Sequence, residues 1–211
     1  MRDNRSMSAE IASETPPAPV KTAAGGGLRE RKKERTRRTI RMEAFRLFRE
    51  QGYTETTVEQ IAAAADISPS TFFRYFPSKE QVAMADDLDP FMIASFESQP
   101  AELSVLAAFK KSTVESFAAL SPEDREFEKQ RVELLSTVPE LRGAVARELE
   151  RSNEMIAELV ARRTGRSPGD FEVRIFAGAL SGAMLSFIDR ETFGPDQIVR
   201  VLEFLEAGMP L

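Results

Sequence analysis

Ser70, Thr71 and Arg74 offer two hydroxyls and a guanidinium within five residues, directly after Ser68-Pro69. Hydroxyls at the start of a helix suit phosphate oxygens or a thymine methyl, and a guanidinium can make a two-pronged contact to guanine. The chemistry on offer is hydrogen bonding to a nucleic acid, not bond making. The chain has no cysteine and no histidine. That excludes disulfides, thiolate metal sites, and Ser-His, Cys-His or zinc catalysis. No motif supports carboxylate catalysis, and no metal or cofactor is expected. The chain does not read as an enzyme.

These side chains need a short helix held by one buried face and open on the other. Residues 54–80 supply it as two short helices joined by a tight turn. Thr56-x-x-Glu59 and Thr57-x-x-Gln60 both fit a capping box for the first helix, with Val58, Ile61, Ala62 and Ala65 on its inner face. The turn is Ala65-Asp66-Ile67-Ser68. Ser68 then caps the second helix, Pro69 occupies its first position, and Pro77 ends it by disfavouring helical geometry at Phe76. Ile67, Phe72 and Phe76 are the expected inward anchors. Thr57, Ser68, Pro69, Ser70, Thr71, Phe73 and Arg74 are the expected DNA-facing residues. Ser78 caps a further helix whose first turn brings Lys79 towards a backbone phosphate. This is the layout of a helix-turn-helix, whose second helix enters the major groove.

A net charge of −5 argues against a nucleic-acid partner until it is resolved along the chain. Residues 1–80 carry 15 Lys/Arg against 11 Asp/Glu, and residues 81–211 carry 14 against 23. A basic reader joined to an acidic body is the implied arrangement. The basic charge concentrates at residues 29–41, with eight Lys/Arg, Arg37 and Arg38 among them, against Glu30 and Glu34. Such a run grips the DNA backbone or reaches a minor groove as an arm, or is a solvated helix face with internal ion pairs.

Residues 1–27, rich in Ser, Ala, Pro, Thr and Gly, read as a disordered tail. The rest has helical period throughout. Leu28 to Gln51 forms one helix with Ile40, Ala44, Leu47 and Phe48 on its apolar stripe, stopped by Gly52. Later starts are expected at Ser121-Pro122, Pro139, Ser167-Pro168 and Pro195. No stretch alternates with period two. The fold class is all-α, about nine helices, with a reader at 28–85 and a helical bundle at 86–211. No run is long and apolar enough to span a membrane, and no secretory leader is evident, so the cytoplasm is the expected compartment.

The segment Ser68-Pro69-Ser70-Thr71-Phe72-Phe73-Arg74-Tyr75-Phe76-Pro77-Ser78-Lys79-Glu80 resembles the helix-turn-helix tail of the TetR family of bacterial transcriptional regulators. The resemblance covers residues 31–90. It implies that Thr71 contacts DNA and that Tyr75 and Lys79 hold phosphates. Phe73 stands where a phosphate-binding tyrosine is usual, so that hydroxyl contact is missing. The resemblance also implies a homodimer on a palindromic operator, repression, and a small-molecule effector in the C-terminal bundle. The dimer is expected from the last two helices, about 168–189 and 195–208, through Phe176, Ala179, Gly182, Ala183, Ile198, Leu202 and Leu205. The effector is expected to be apolar. Candidate pocket residues are Phe91, Phe96, Leu106, Phe109, Phe117, Leu134, Leu135 and Met155, with none singled out. Two rival readings are a non-specific architectural DNA-binding protein and a helical lipid or small-molecule carrier that ignores DNA.

Overall fold

The computed structural model describes residues 27–86, 88–186 and 194–211. The expected tail up to residue 26, Phe187, and the last residues of the helix expected to reach 189 lie outside them. The described residues form ten α-helices and one 3-10 turn, with no strand among them. The chain divides after Thr36 into two compact units. The described part of the first is the opening of α1 (Leu28–Gln51). There the N–H groups of Glu30 and Arg31 donate to the Gly27 carbonyl, and Lys33 pairs with Glu30 at 3.3 Å.

Capping side chains set most of the remaining boundaries. α1 stops at Gly52, whose φ of +91° few other residues adopt without strain. α2 (Val58–Ala64) opens with the full capping box: Thr57 Oγ1 accepts from Gln60 N–H, and the Gln60 side chain accepts from Thr57 N–H. α3 (Pro69–Tyr75) is capped by Ser68, and α4 (Lys79–Met84) by Ser78. α5 (Asp89–Ser98), α6 (Val105–Ala119) and α7 (Pro122–Thr137) follow. Pro139 opens only the 3-10 turn Pro139–Leu141, which runs into α8 (Arg142–Thr164). The start expected at Ser167-Pro168 falls later. Asp170 N–H donates to the Ser167 carbonyl at 3.1 Å, and the Asp170 carboxylate accepts from Ser167 N–H at 3.2 Å. That turn uses the caps first, so α9 (Phe171–Leu185) begins at Phe171. α10 (Pro195–Glu206) starts where Pro195 predicts.

Two main cores hold these helices. Ile40, Phe45 and Phe48 of α1 pack with Ile61, Phe72, Phe76 and Val82, all buried. Leu141 is buried in the same core, and Phe127, Leu134 and Val138 pack against it. The rings of Phe45 and Phe127 lie 4.7 Å apart. Helices α1 to α4 therefore share apolar packing with α7, across the compositional boundary near residue 85. The second core joins α5, α6, α8, α9 and α10 through Phe96, Phe109, Leu159, Val160, Leu180 and Leu202. Burial of side chains this large contributes about 1.5–3 kcal/mol each relative to exposure.

Candidate nucleic-acid interface

α3 is a seven-residue helix fixed by its aromatic side. Phe72 and Phe76 are 0 % and 1 % exposed, whereas Ser70 and Arg74 are open to solvent and Phe73 remains 52 % exposed. The outer face of α3 therefore presents a hydroxyl, an aromatic ring and a guanidinium together. The turn before α3 is sharp. Asp66 takes φ +54°, a left-handed conformation that aspartate tolerates better than most residues, and Ile67 N–H returns to the Ala62 carbonyl at 2.9 Å.

Three hydroxyls meet at the start of α3. Ser68 Oγ accepts from Thr71 N–H at 3.1 Å and donates to Thr71 Oγ1 at 2.9 Å. Its distance to Ser70 Oγ is also 2.9 Å. A serine hydroxyl has one proton. Ser68 spends it on Thr71, so Ser70 must be the donor in the Ser68–Ser70 contact. The Thr71 proton is left for a partner outside the helix. Thr57, at the start of α2, keeps its exposed hydroxyl proton in the same way, its oxygen serving as cap acceptor.

The C-terminal end of α3 is held by arginines. Arg37 stacks its guanidinium 4.4 Å from the Phe76 ring centroid, and its Nη1 lies 3.5 Å from the Tyr75 carbonyl oxygen. Arg74 sits 5.5 Å from the centroid of the half-buried Tyr75. Arg37 thus positions α3, a role the basic run did not reveal.

Two expected phosphate ligands are engaged elsewhere. Arg38 pairs with Asp124 at 2.6 Å and is drawn towards the start of α7. Lys79 donates to the carbonyls of Tyr53, Thr54 and Thr56 at 2.8, 3.2 and 3.0 Å, and its ammonium lies 4.4 Å from the Tyr53 ring centroid. All three ammonium protons are used. The loop after α1 turns three carbonyls towards α4, of which Tyr53's also accepts from Thr56 N–H at 3.3 Å, and the lysine one residue past the Ser78 cap reaches all three. Lys79 clamps α4 to that loop. No sequence signal distinguished this from an outward lysine, because carbonyls are present in every sequence.

The expected dimer residues divide in the same manner. Leu202 is 1 % exposed, and Phe176, Ile198 and Leu205 pack onto the second core. The buried side of α9 carries Val173, Ala177, Leu180 and Ser181. Its opposite side presents Phe171 at 74 % and Ile175 at 57 % exposure, then Gly178 and Ala179. A Cβ placed on Gly178 or Gly182 would meet nothing within 4 Å. Gly182 and Ala183 are half-buried. The open side therefore runs through Phe171, Ile175, Gly178 and Ala179; of the expected α9 residues it includes Ala179, with Gly182 and Ala183 at its edge.

A cavity of about 550 Å³, partly open to solvent, lies beside the second core. Phe109, Phe117, Leu135 and Met155 line it as expected. Phe91 does not, being 46 % exposed on the outer side of α5, and Phe96, Leu106 and Leu134 contribute packing rather than lining. At one end the lining turns charged, with Asp86, Asp89, Arg131 and Glu148. Arg131 Nε donates to Glu128 at 2.7 Å and Nη2 pairs with Asp86. Glu128 also faces Arg41 of α1 at 3.7 Å, and Arg41 donates to the Ala85 carbonyl at 2.6 Å. Burial is the largest influence on Glu128 and pushes its carboxyl above the usual range. The arginines beside it act in the opposite sense. No motif announced this cluster.

Comparison with known proteins agrees with the geometry. Residues 40–85 match the family "Bacterial regulatory proteins, tetR family", and residues 103–210 match the "MftR C-terminal domain". The chain is 36 % identical over 189 residues to the HTH-type transcriptional regulator TcmR of Streptomyces glaucescens, covering 84 % of this chain and 81 % of that protein. It is 27 % identical over 175 residues to MftR, assigned as a mycofactocin biosynthesis transcriptional regulator in Mycobacterium tuberculosis (strain ATCC 25618 / H37Rv), covering 78 % and 83 %. NalD, the secondary repressor of the MexAB-OprM multidrug efflux pump in Pseudomonas aeruginosa, shares the fold with a TM-score of 0.51 at 24 % identity, over 84 % of this chain and 97 % of that one. A TetR-family regulator of Syntrophomonas wolfei does so with a TM-score of 0.57 at 17 % identity, over 83 % and 95 %. The chain belongs to the TetR family and is a DNA-binding transcriptional regulator, not an enzyme.

Proposed function

We propose that the chain is a homodimeric repressor that binds a two-fold symmetric operator and releases it when a small molecule fills the cavity. Residues 28–85 read DNA, and residues 86–211 dimerise and hold the effector. It acts in the cytoplasm; among the described residues no helix is long and apolar enough to cross a membrane. The observation that carries the reading is α3 itself, with Phe72 and Phe76 sealed in the core and Ser70, Phe73 and Arg74 left outside. Thr71 gives a hydroxyl proton to the DNA, and Arg74 reads a base edge. Tyr75 lies against the backbone. The apolar stripe of α9 supports a two-fold contact, since the same patch can meet its own copy. The cavity supports an effector because its volume and mostly apolar lining are those of small-molecule sites.

The same geometry suggests how the two sites are coupled. Arg131 lines the cavity, pairs with Glu128, and through it meets Arg41, which holds the end of α4 at Ala85. An effector that displaces Arg131 loosens the seat of the reading helices and favours a conformation with the wrong half-site spacing. By linkage, operator DNA must then weaken effector binding by the same factor.

Selection of bound duplexes from a random pool tests the reading. A two-fold symmetric consensus is expected. An architectural binder would return no consensus, and a carrier would bind no DNA at physiological salt; either result contradicts the proposal.

A further inference from the structure

The polar end of the cavity gathers carboxyls. Among the described residues, Asp86 pairs with Arg131, and Glu128 with Arg131 and Arg41. Arg131 is already committed to Asp86 and Glu128. Glu148, on the same lining, pairs with Arg151 at 3.2 Å. Asp89 is the carboxyl left over, with no ion pair among the described residues. Burial and the neighbouring Asp86 push it up to about 7, partly opposed by Arg131. A second group in the cavity also lacks a partner. Ser181 of α9 is 5 % exposed, lines the cavity, and its Oγ makes no hydrogen bond. A buried hydroxyl left in that state costs about 1–3 kcal/mol, which a bound molecule can recover.

Resting on the effector reading above, we propose that the cavity takes an apolar molecule carrying one protonated amine, which pairs with Asp89, while Ser181 supplies a further hydrogen bond to the ligand. A carboxylate ligand fits poorly. It would have to displace Asp86 or Glu128 from Arg131 and leave another buried anion unpaired. A neutral alcohol would leave Asp89 to be protonated or to stand charged in an apolar surround. The amine gives Asp89 the ion pair it lacks among the described residues. Other charged groups facing Asp89 are Asp86 from the preceding turn, Arg131 and Glu128 of α7, and Glu148 of α8; the lining from α6, α9 and α10 is uncharged.

Three probes of one shape isolate the head group: n-decylamine, n-decanol and n-decanoate, titrated calorimetrically into the full chain at pH 8 and pH 5.5. Decylamine should bind at least about tenfold tighter than the other two at pH 8. Its advantage should fall by roughly tenfold at pH 5.5, where a proton competes for Asp89 while the amine stays charged. Asp89→Asn should remove both the preference and the pH dependence. Tightest binding by decanoate, or equal binding by all three, overturns the amine assignment. If that equal binding is abolished by Met155→Trp or Ile156→Trp, two partly buried lining positions, the cavity still stands as the effector site. Failure of all three probes to bind at millimolar concentration overturns both readings.

Discussion

Lys79 and Arg74 are both cations beside the reading helix, and the structure gives them different tasks. Lys79 is consumed by three carbonyls of the loop after α1, whereas Arg74 is exposed, its guanidinium 5.5 Å from the Tyr75 ring centroid. Lys79→Ala should therefore destabilise the fold by about 1–3 kcal/mol, since it orphans carbonyls that a charged donor satisfies. It should leave the slope of log affinity against log salt unchanged. Chemical denaturation and a salt series together check this. A slope flattened by about one phosphate, with native stability, would return Lys79 to the DNA backbone. Residue type and spacing made α3 legible from Ser68 to Phe76, because caps, prolines and buried aromatics act locally. The fates of Lys79, Arg37 and Arg38 were not legible. Each depends on a partner 26, 38 or 86 residues away, chosen by the tertiary packing.

The elements follow their local signals wherever one capping residue dominates. Ser68, Ser78, Ser104 and Ser121 each accept from the backbone N–H three residues on. Where two signals compete, the shorter-range one wins, and the Ser167–Asp170 turn delays α9 by closing on itself. The turn between α2 and α3 is the most demanding of these joints. Asp66 occupies the left-handed region at φ +54°. Asp66→Val should cost about 1–2 kcal/mol, and Asp66→Gly should be tolerated, because the penalty comes from the Cβ and its branches. Thermal unfolding of the two variants distinguishes them. Equal losses for glycine and valine would locate the stabilisation in the aspartate side chain instead. The stripe on α9 was half legible. Phe176, Ala179, Gly182 and Ala183 were expected on it, but periodicity alone could not say which side of an apolar helix its own core would claim. The structure puts Val173, Ala177 and Leu180 inside and leaves Phe171 and Ile175 out.

At the scale of the whole molecule, the two cores meet at a buried charged cluster that composition could not reveal. Burial, and after it Asp86, push the Asp89 carboxyl well above the usual range, up to about 7. An acid whose folded pKa is raised binds more protons folded than unfolded. Stability therefore falls as pH rises from about 4 through 7, and the penalty is complete above that window. Asp89→Asn should accordingly stabilise the ligand-free protein at pH 8, by on the order of 2 kcal/mol, and much less at pH 4. Equal effects at the two pH values would mean the carboxyl is better solvated than its surroundings imply. Assembly gives a second whole-molecule prediction. Ile175→Glu places a charge on the open stripe of α9 and, if the proposed two-fold contact lies there, should leave the chain monomeric at micromolar concentration and lower its operator affinity. Analytical ultracentrifugation reads the first effect, and an unchanged dimer would move the interface elsewhere.

The central claim is that the outer face of α3 reads bases in two symmetric half-sites. Parallel selections from one random duplex pool, with the native chain and with Arg74→Ala, test it most directly. The native chain should return a two-fold symmetric consensus. The variant should keep the same half-site spacing and lose preference at one position in each half, a change of about 1–3 kcal/mol per contact. A native consensus without symmetry, or an Arg74→Ala consensus identical at every position, would contradict the account.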